Sequence, residues 1–108
     1  MTSAQTITRA AAGDSAAAGA LVEQHGPLVF GMCRRLAADP EDCYQEVWEK
    51  IFRALPRFDP NGTAPLRGWI ATVTRRHLTD RHRRRKVRGE VVPLDGIASG
   101  GRSAEELV

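Results

Sequence analysis

At 108 residues the chain has room for one domain with a modest core, since chains of about this size bury roughly two thirds of their unfolded surface. Its 42% hydrophobic and 27% charged composition excludes wholesale disorder, no apolar run approaches a membrane span, and no basic start followed by an apolar block marks a secretory signal, so a cytoplasmic protein is expected. The net charge of +3 hides a split: residues 75–88 carry eight basic and one acidic side chain, +7, which leaves −4 for the rest.

Helical spacing dominates and strand alternation is nearly absent before residue 90, so the chain reads as all-α, a three- to four-helix bundle with a long functional loop before its last helix. ITRAAA is a short first helix stopped by Gly13, after which Asp14 or Ser15 can cap the next. That second helix spans 15–37 as one element, bent at Gly26 and Pro27. Leu21, Val22, His25, Leu28, Val29, Met32, Cys33 and Leu36 fall within one arc when each residue advances roughly 100°.

DPED at 39–42 is a helix start, with Asp39 as N-cap, Pro40 in the first turn and two carboxylates at the positive dipole end. The helix runs to about Leu55, where Pro56 stops it. Cys43, Tyr44, Val47, Trp48, Ile51, Phe52 and Leu55 form its apolar half, and Asp42, Gln45, Glu46, Glu49, Lys50 and Arg53 its polar half. PRFDPNGTAP (56–65) is turn chemistry throughout and longer than the usual helix connection, which suits a functional loop. The last helix starts near Leu66, with Leu66, Trp69, Ile70 and Val73 as its buried stripe and His77, Asp80, Arg81 and Arg84 continuing that face. Residues 1–88 make the domain. Residues 89–108, with four glycines and a proline, read as a linker.

Two features carry chemistry. Arg75, Arg76, Thr79 and Arg83, lying opposite the core stripe with Thr72 and His82 and continued by Arg84, Arg85, Lys86 and Arg88, make an ordered basic face rich in arginine, whose planar fork grips phosphate and stacks on bases. The plainer alternative is a solvated helix end. The carboxylate face of 42–49 suits a basic protein partner, or again only solvent. His25, Cys33 and Cys43 can approach one another in the core, but their spacing matches no metal site and no fourth ligand is available. Trp48 and Trp69 read as core anchors. With no Gly-rich phosphate loop, GxSxG or HExxH, the chain reads as a binding module that is not an enzyme and needs neither cofactor nor metal.

The order of AGD with LVEQHGPLV, DPEDCYQEVW, ALPRF, LRGWI, then RR followed by LTD and arginines, over about residues 10–86, resembles region 2 of extracytoplasmic-function sigma factors, the bacterial RNA polymerase subunits that recognise promoters. The resemblance implies that Asp42, Gln45, Glu46 and Glu49 dock on the coiled coil of the polymerase β′ subunit. It further implies that Phe58, Asp59, Asn61, Gly62 and Thr63 surround a flipped-out base of the −10 non-template strand, with Arg75, Arg76 and Thr79 nearest the bases and Arg83, Arg84, Arg85, Lys86 and Arg88 on phosphates. The domain would thereby help melt promoter DNA, and an anti-sigma factor is an implied further partner. Arg76 stands where the family usually has Asn, and Gly68 precedes Trp69 where housekeeping sigma factors have paired tryptophans. The second helical domain that reads the −35 element is expected beyond the linker and is absent from these 108 residues. Two other readings remain: a stand-alone helical nucleic-acid binder, and a protein-interaction module held by an anti-sigma factor.

Overall fold

A computed structural model describes residues 2–87. They form α1 (Ala4–Ala11), α2 (Ser15–Leu36), α3 (Pro40–Ala54), a single 3-10 turn (Leu55–Arg57) and α4 (Leu66–Val87), with no strand among the described residues. The expected linker at 89–108 and Arg88 lie outside the described residues, as does the side chain of Arg85.

The α1–α2 joint follows from three residues. Gly13 takes φ +99, a conformation only glycine reaches cheaply. Its N–H donates to Ala10 and that of Asp14 to Arg9, closing the last carbonyls of α1. Asp14 then starts α2, its Oδ1 accepting from the N–H groups of Ala16 and Ala17 at 2.9 and 3.2 Å while Arg9 Nε donates to Oδ2 at 2.8 Å. The Ala17 N–H and the Arg9 guanidinium hold the Asp14 carboxyl below its usual range. From there α2 runs without interruption through Pro27, as one element.

The core lies where α2, α3 and α4 meet, with α1 closing one side. Leu21, Val29, Cys33, Cys43, Val47, Ile51 and Ile70 are fully enclosed, and Ile7 and Ala10 reach them from α1. At its centre the free thiols of Cys33 and Cys43 meet at 3.3 Å, tying α2 to α3. His25 is not with them. It stands beside Thr2, 2.8 Å from its hydroxyl, so the three groups do not converge, and no metal-binding cluster occurs among the described residues.

α4 departs from its expected stripe. Thr74 and Leu78 are buried, whereas Trp69 and Val73 are half-buried and Asp80 is exposed. The buried row is Leu66, Ile70, Thr74 and Leu78, the i, i+4 ridge along which a helix packs into its neighbours' grooves. Thr74 was overlooked because it is polar, yet its hydroxyl donates to the Ile70 carbonyl at 2.8 Å and so enters the core satisfied.

Beyond Leu78 the helix is too charged to be held by apolar packing, and an ion network takes over. Glu46 Oε1 accepts from His77 Nε2 at 2.8 Å and from Arg81 Nη1 at 2.6 Å, and the other Arg81 nitrogen donates to Asp39. Asp39 stands at the N-cap position as expected, its carbonyl accepting from the Cys43 N–H at 3.1 Å, but its carboxylate makes no cap bond to α3 and reaches across to α4 instead. Pro40, with no N–H to satisfy, lowers the cost of that diversion. Burial lowers the pKa of His77 and outweighs the carboxylate beside it, so the ring is neutral and gives its one N–H to Glu46. Glu46 is pushed up by partial burial but pulled further down by the hydrogen bonds from Arg81 and His77, and ends below its usual range.

Both shifts make the fold acid-sensitive. An unfolded chain protonates His77 around its ordinary value of 6.5 and the folded one resists, so the unfolded state binds more protons and stability falls as pH drops below that value. Glu46 adds a second loss below its ordinary value of 4.5, as pH falls through the depressed folded value. Thermal melts between pH 7.5 and 4 are expected to show a steady decline, shallower between 7 and 5 in His77→Gln; a midpoint unchanged over that range contradicts the network.

Candidate functional site

The segment between α3 and α4 is built by its own short-range bonds. Phe58 N–H donates to Leu55, Asn61 N–H to Asp59 Oδ1 at 2.9 Å, and Gly62 N–H to the Asp59 carbonyl at 3.2 Å. Asp59 therefore spends its carboxylate on folding the loop, as aspartate does in turns of this kind. A Cβ at Gly62 would come within 3.2 Å of that same carboxylate, which favours glycine there. Phe58 packs its ring on Trp69 with centroids 5.2 Å apart, pinning the loop to the first turn of α4.

Beneath the loop is a cavity of about 660 Å³. Phe58, Gly62 and Thr63 line it; Asp59 and Asn61, both exposed, shape or edge the loop without lining the cavity. Its far wall was not expected: Thr2, Gln24 and His25 come from the chain's start and from α2. His25 had registered only as a polar residue on an apolar stripe, and nothing in the sequence marked Thr2. Burial first, then the charge of Arg67, pulls the His25 pKa down and keeps the ring neutral.

The outer surface of α4 presents Arg75, Arg76, Arg83, Arg84 and Lys86 to solvent, while Thr79 and His82 are half-buried. Thr72, also half-buried, turns its hydroxyl back to the Gly68 carbonyl at 3.0 Å and does not face outward as a free donor. Between α3 and α4 lies a groove of about 350 Å³ in which Lys50, Arg53 and Arg57 join Arg76, opposed only by Asp80. None of these four cations enters an ion pair or side-chain hydrogen bond among the described residues. Lys50 and Arg53 had been placed on the polar half of α3 with the carboxylates; the fold sends them to the α4 side, where they extend the basic field. Cations within a Debye length of about 8–10 Å act on one ligand together.

On the other polar candidate, Asp42, Gln45 and Glu49 are exposed, as a docking face requires. Glu46 differs, because its carboxylate is committed to His77 and Arg81 although its side chain remains 45% accessible. Next to this face α2 and α3 leave an apolar groove of about 540 Å³, walled by Val22, Pro27, Phe30 and Tyr44 and rimmed by Glu41 and Gln45. Phe30 meets Tyr44 edge-on with centroids 5.5 Å apart, and Gly26 keeps the helices close there, since a Cβ would stand 2.8 Å from the Tyr44 hydroxyl. No helix among the described residues is long and apolar enough to cross a membrane.

The chain is 36% identical over 92 residues to the ECF RNA polymerase sigma factor SigE of Mycolicibacterium smegmatis, an alignment covering 79% of this chain and 35% of the relative. It is 28% identical over 89 residues to the ECF RNA polymerase sigma factor SigK of Mycobacterium sp. (strain KMS), covering 80% of this chain and 46% of the relative. The chain thus spans between a third and a half of the length of these curated relatives. No solved structure matches it significantly. The family model for sigma-70 region 2 matches residues 21–88, from the middle of α2 to the end of the basic helix, and the chain belongs to that family.

Proposed function

We propose that this domain serves transcription initiation by binding core RNA polymerase through the exposed carboxylate face of α3 and capturing the melted −10 strand of promoter DNA on α4 and the loop before it. The observation that carries this reading is the continuity of α4. Its first turn, at Leu66 and Arg67, walls the cavity, and Arg76, about 13 Å further along at 1.5 Å per residue, lines the cationic groove. A single strand with one base turned into the cavity would lay its phosphates along the arginines. Binding then does the work of opening: an unstacked base gains walls to pack on, and each neutralised phosphate releases counterions, offsetting a cost of a few kcal/mol per flipped base. No covalent step is involved.

Roles divide by chemistry. Phe58, Gly62 and Thr63 surround the captured base, with Asn61 at the loop's edge and Asp59 holding the turn. Arg75 and Arg76, with Thr79 partly sheltered between them and the core, sit where bases pass; Arg83, Arg84, Arg85, Lys86 and Arg88 grip phosphate without regard to sequence, joined by Lys50, Arg53 and Arg57. For polymerase, Asp42 and Glu49 offer the charge, Gln45 a neutral amide that can donate and accept hydrogen bonds, and the adjoining apolar groove offers buried area. The β′ coiled coil is the partner surface proposed for them, and an anti-sigma factor competing for the same groove is a coherent second partner.

Fluorescence anisotropy with single-stranded and duplex −10 oligonucleotides is expected to favour the single strand. Asn61→Ala narrows that preference, and Arg84→Ala weakens all sequences alike while lowering the slope of log affinity against log salt by about one. Equal affinity for both forms contradicts the reading. Pull-down of the β′ coiled coil is expected to fall about tenfold or more in Asp42→Arg and Glu49→Arg. Unchanged recovery in both removes the polymerase assignment. Glu46→Arg is the less clean probe, because it also opens the contact between α3 and α4.

A further inference from the structure

One wall of the cavity beneath the loop carries a hydrogen-bond chain whose direction follows from the Gln24 amide oxygen facing Thr2. Gln24 Oε1 can only accept, so the Thr2 hydroxyl donates to it. A hydroxyl has one proton, so the contact between Thr2 Oγ1 and His25 Nε2 at 2.8 Å has the ring N–H donating to the hydroxyl oxygen. His25 is therefore held in the form with its proton on Nε2. Its other nitrogen, Nδ1, is buried and has no hydrogen-bond partner within the protein. Keeping a buried acceptor unpaired is unfavourable, and the ring is 8% exposed, so this arrangement is sustained against a cost.

The consequence falls on Gln24. Its carbonyl oxygen is tied to Thr2, which leaves the amide nitrogen, with two N–H donors, as the free end of an exposed side chain on the cavity wall. Glutamine ordinarily presents either a donor or an acceptor by turning its amide over, and here the chain from His25 removes that freedom.

We propose that Gln24 is a specificity-determining residue of the cavity: its amide N–H groups read the edge oxygen of a captured keto base, thymine or guanine, and His25, acting through Thr2, is the positioning residue that keeps the amide facing that way. Adenine and cytosine carry an amine at the equivalent position, which would set donor against donor and leave both unpaired. The inference rests on the base-capture reading above and adds which edge of the base is read and from which side of the cavity.

The test uses the 108-residue chain and a set of single-stranded −10 oligonucleotides. The captured position is located as the one where an abasic site costs most affinity, and each of the four bases is then placed there. Wild type is expected to bind thymine and guanine about tenfold more tightly than adenine and cytosine. Gln24→Glu, which replaces the donors with acceptors only, reverses that order. Thr2→Val and His25→Phe release the amide and bring the ratio towards one, and Thr2→Ser restores it, which loss of fold would not produce. If an abasic site matters but Gln24→Glu shifts all four bases by one common factor, the inference is overturned and base capture stands. If no position is sensitive to an abasic site, base capture fails and this inference with it.

Discussion

The carboxylate of Glu46, seconded by that of Asp39, ties α4 to α3 and so holds the two proposed binding surfaces in register. α4 begins as an apolar helix and ends as an arginine helix, and beyond Leu78 none of its described residues is buried. Glu46 receives His77 and Arg81 from α4 while projecting from the helix that carries the exposed Asp42, Gln45 and Glu49. Removing one partner of such a network strands the others, and His77 in particular is too deeply enclosed to find water instead. Charge on α4 is therefore divided: Arg81 is consumed inside the protein, while Arg83, Arg84 and Lys86 face solvent. The proposed polymerase and DNA contacts thus share one structural hinge, so a change at Glu46 is felt by both.

The bundle itself was legible in the sequence. Helical spacing, the Gly13 stop, the Asp14 cap and the run of α2 through Pro27 are local chemistry, and local chemistry survives folding. What periodicity could not supply was anything that depends on a partner far along the chain. Thr74 is a polar residue whose own bond is local, to the Ile70 carbonyl, but its burial comes from helices distant in sequence and so does not show in the periodicity. Asp39 is the N-cap residue of α3, yet its carboxylate goes to Arg81, forty-two positions away, and not to the backbone amides of its own helix. The two cysteines were placed in the core correctly, but His25, on the same predicted stripe, faces a different space, since a stripe gives an angle and says nothing of height along the helix.

The candidate site divides the same way. The loop and the arginines stood out as composition, and Arg75, Arg76, Arg83 and Arg84 are exposed as the helical projection has them, while Phe58, Gly62 and Thr63 line a cavity that composition alone did not foretell. Lys50 and Arg53 on α3 with Arg57 in the turn after it, and Thr2, Gln24 and His25 on the far wall, did not stand out as site candidates, because only tertiary packing brings each alongside the groove or the cavity. Family membership assigns the general role of region 2, and the geometry adds which side chains are available for it and which are already spent: the Asp59 carboxylate on its turn, the Thr72 hydroxyl on its helix, and Arg81 on the network.

The central claim is that one continuous surface, from the loop cavity along α4, receives single-stranded DNA while the α3 carboxylate face stays free for polymerase. Amide chemical-shift mapping of the chain during titration with a single-stranded −10 oligonucleotide tests it most directly. The account predicts perturbations at residues 58–63, at Gln24 and His25, at Arg53 and Arg57 and along 75–84, with Asp42, Gln45 and Glu49 unmoved. Shifts centred on residues 42–49, or confined to the basic end of α4 with the cavity silent, would contradict it.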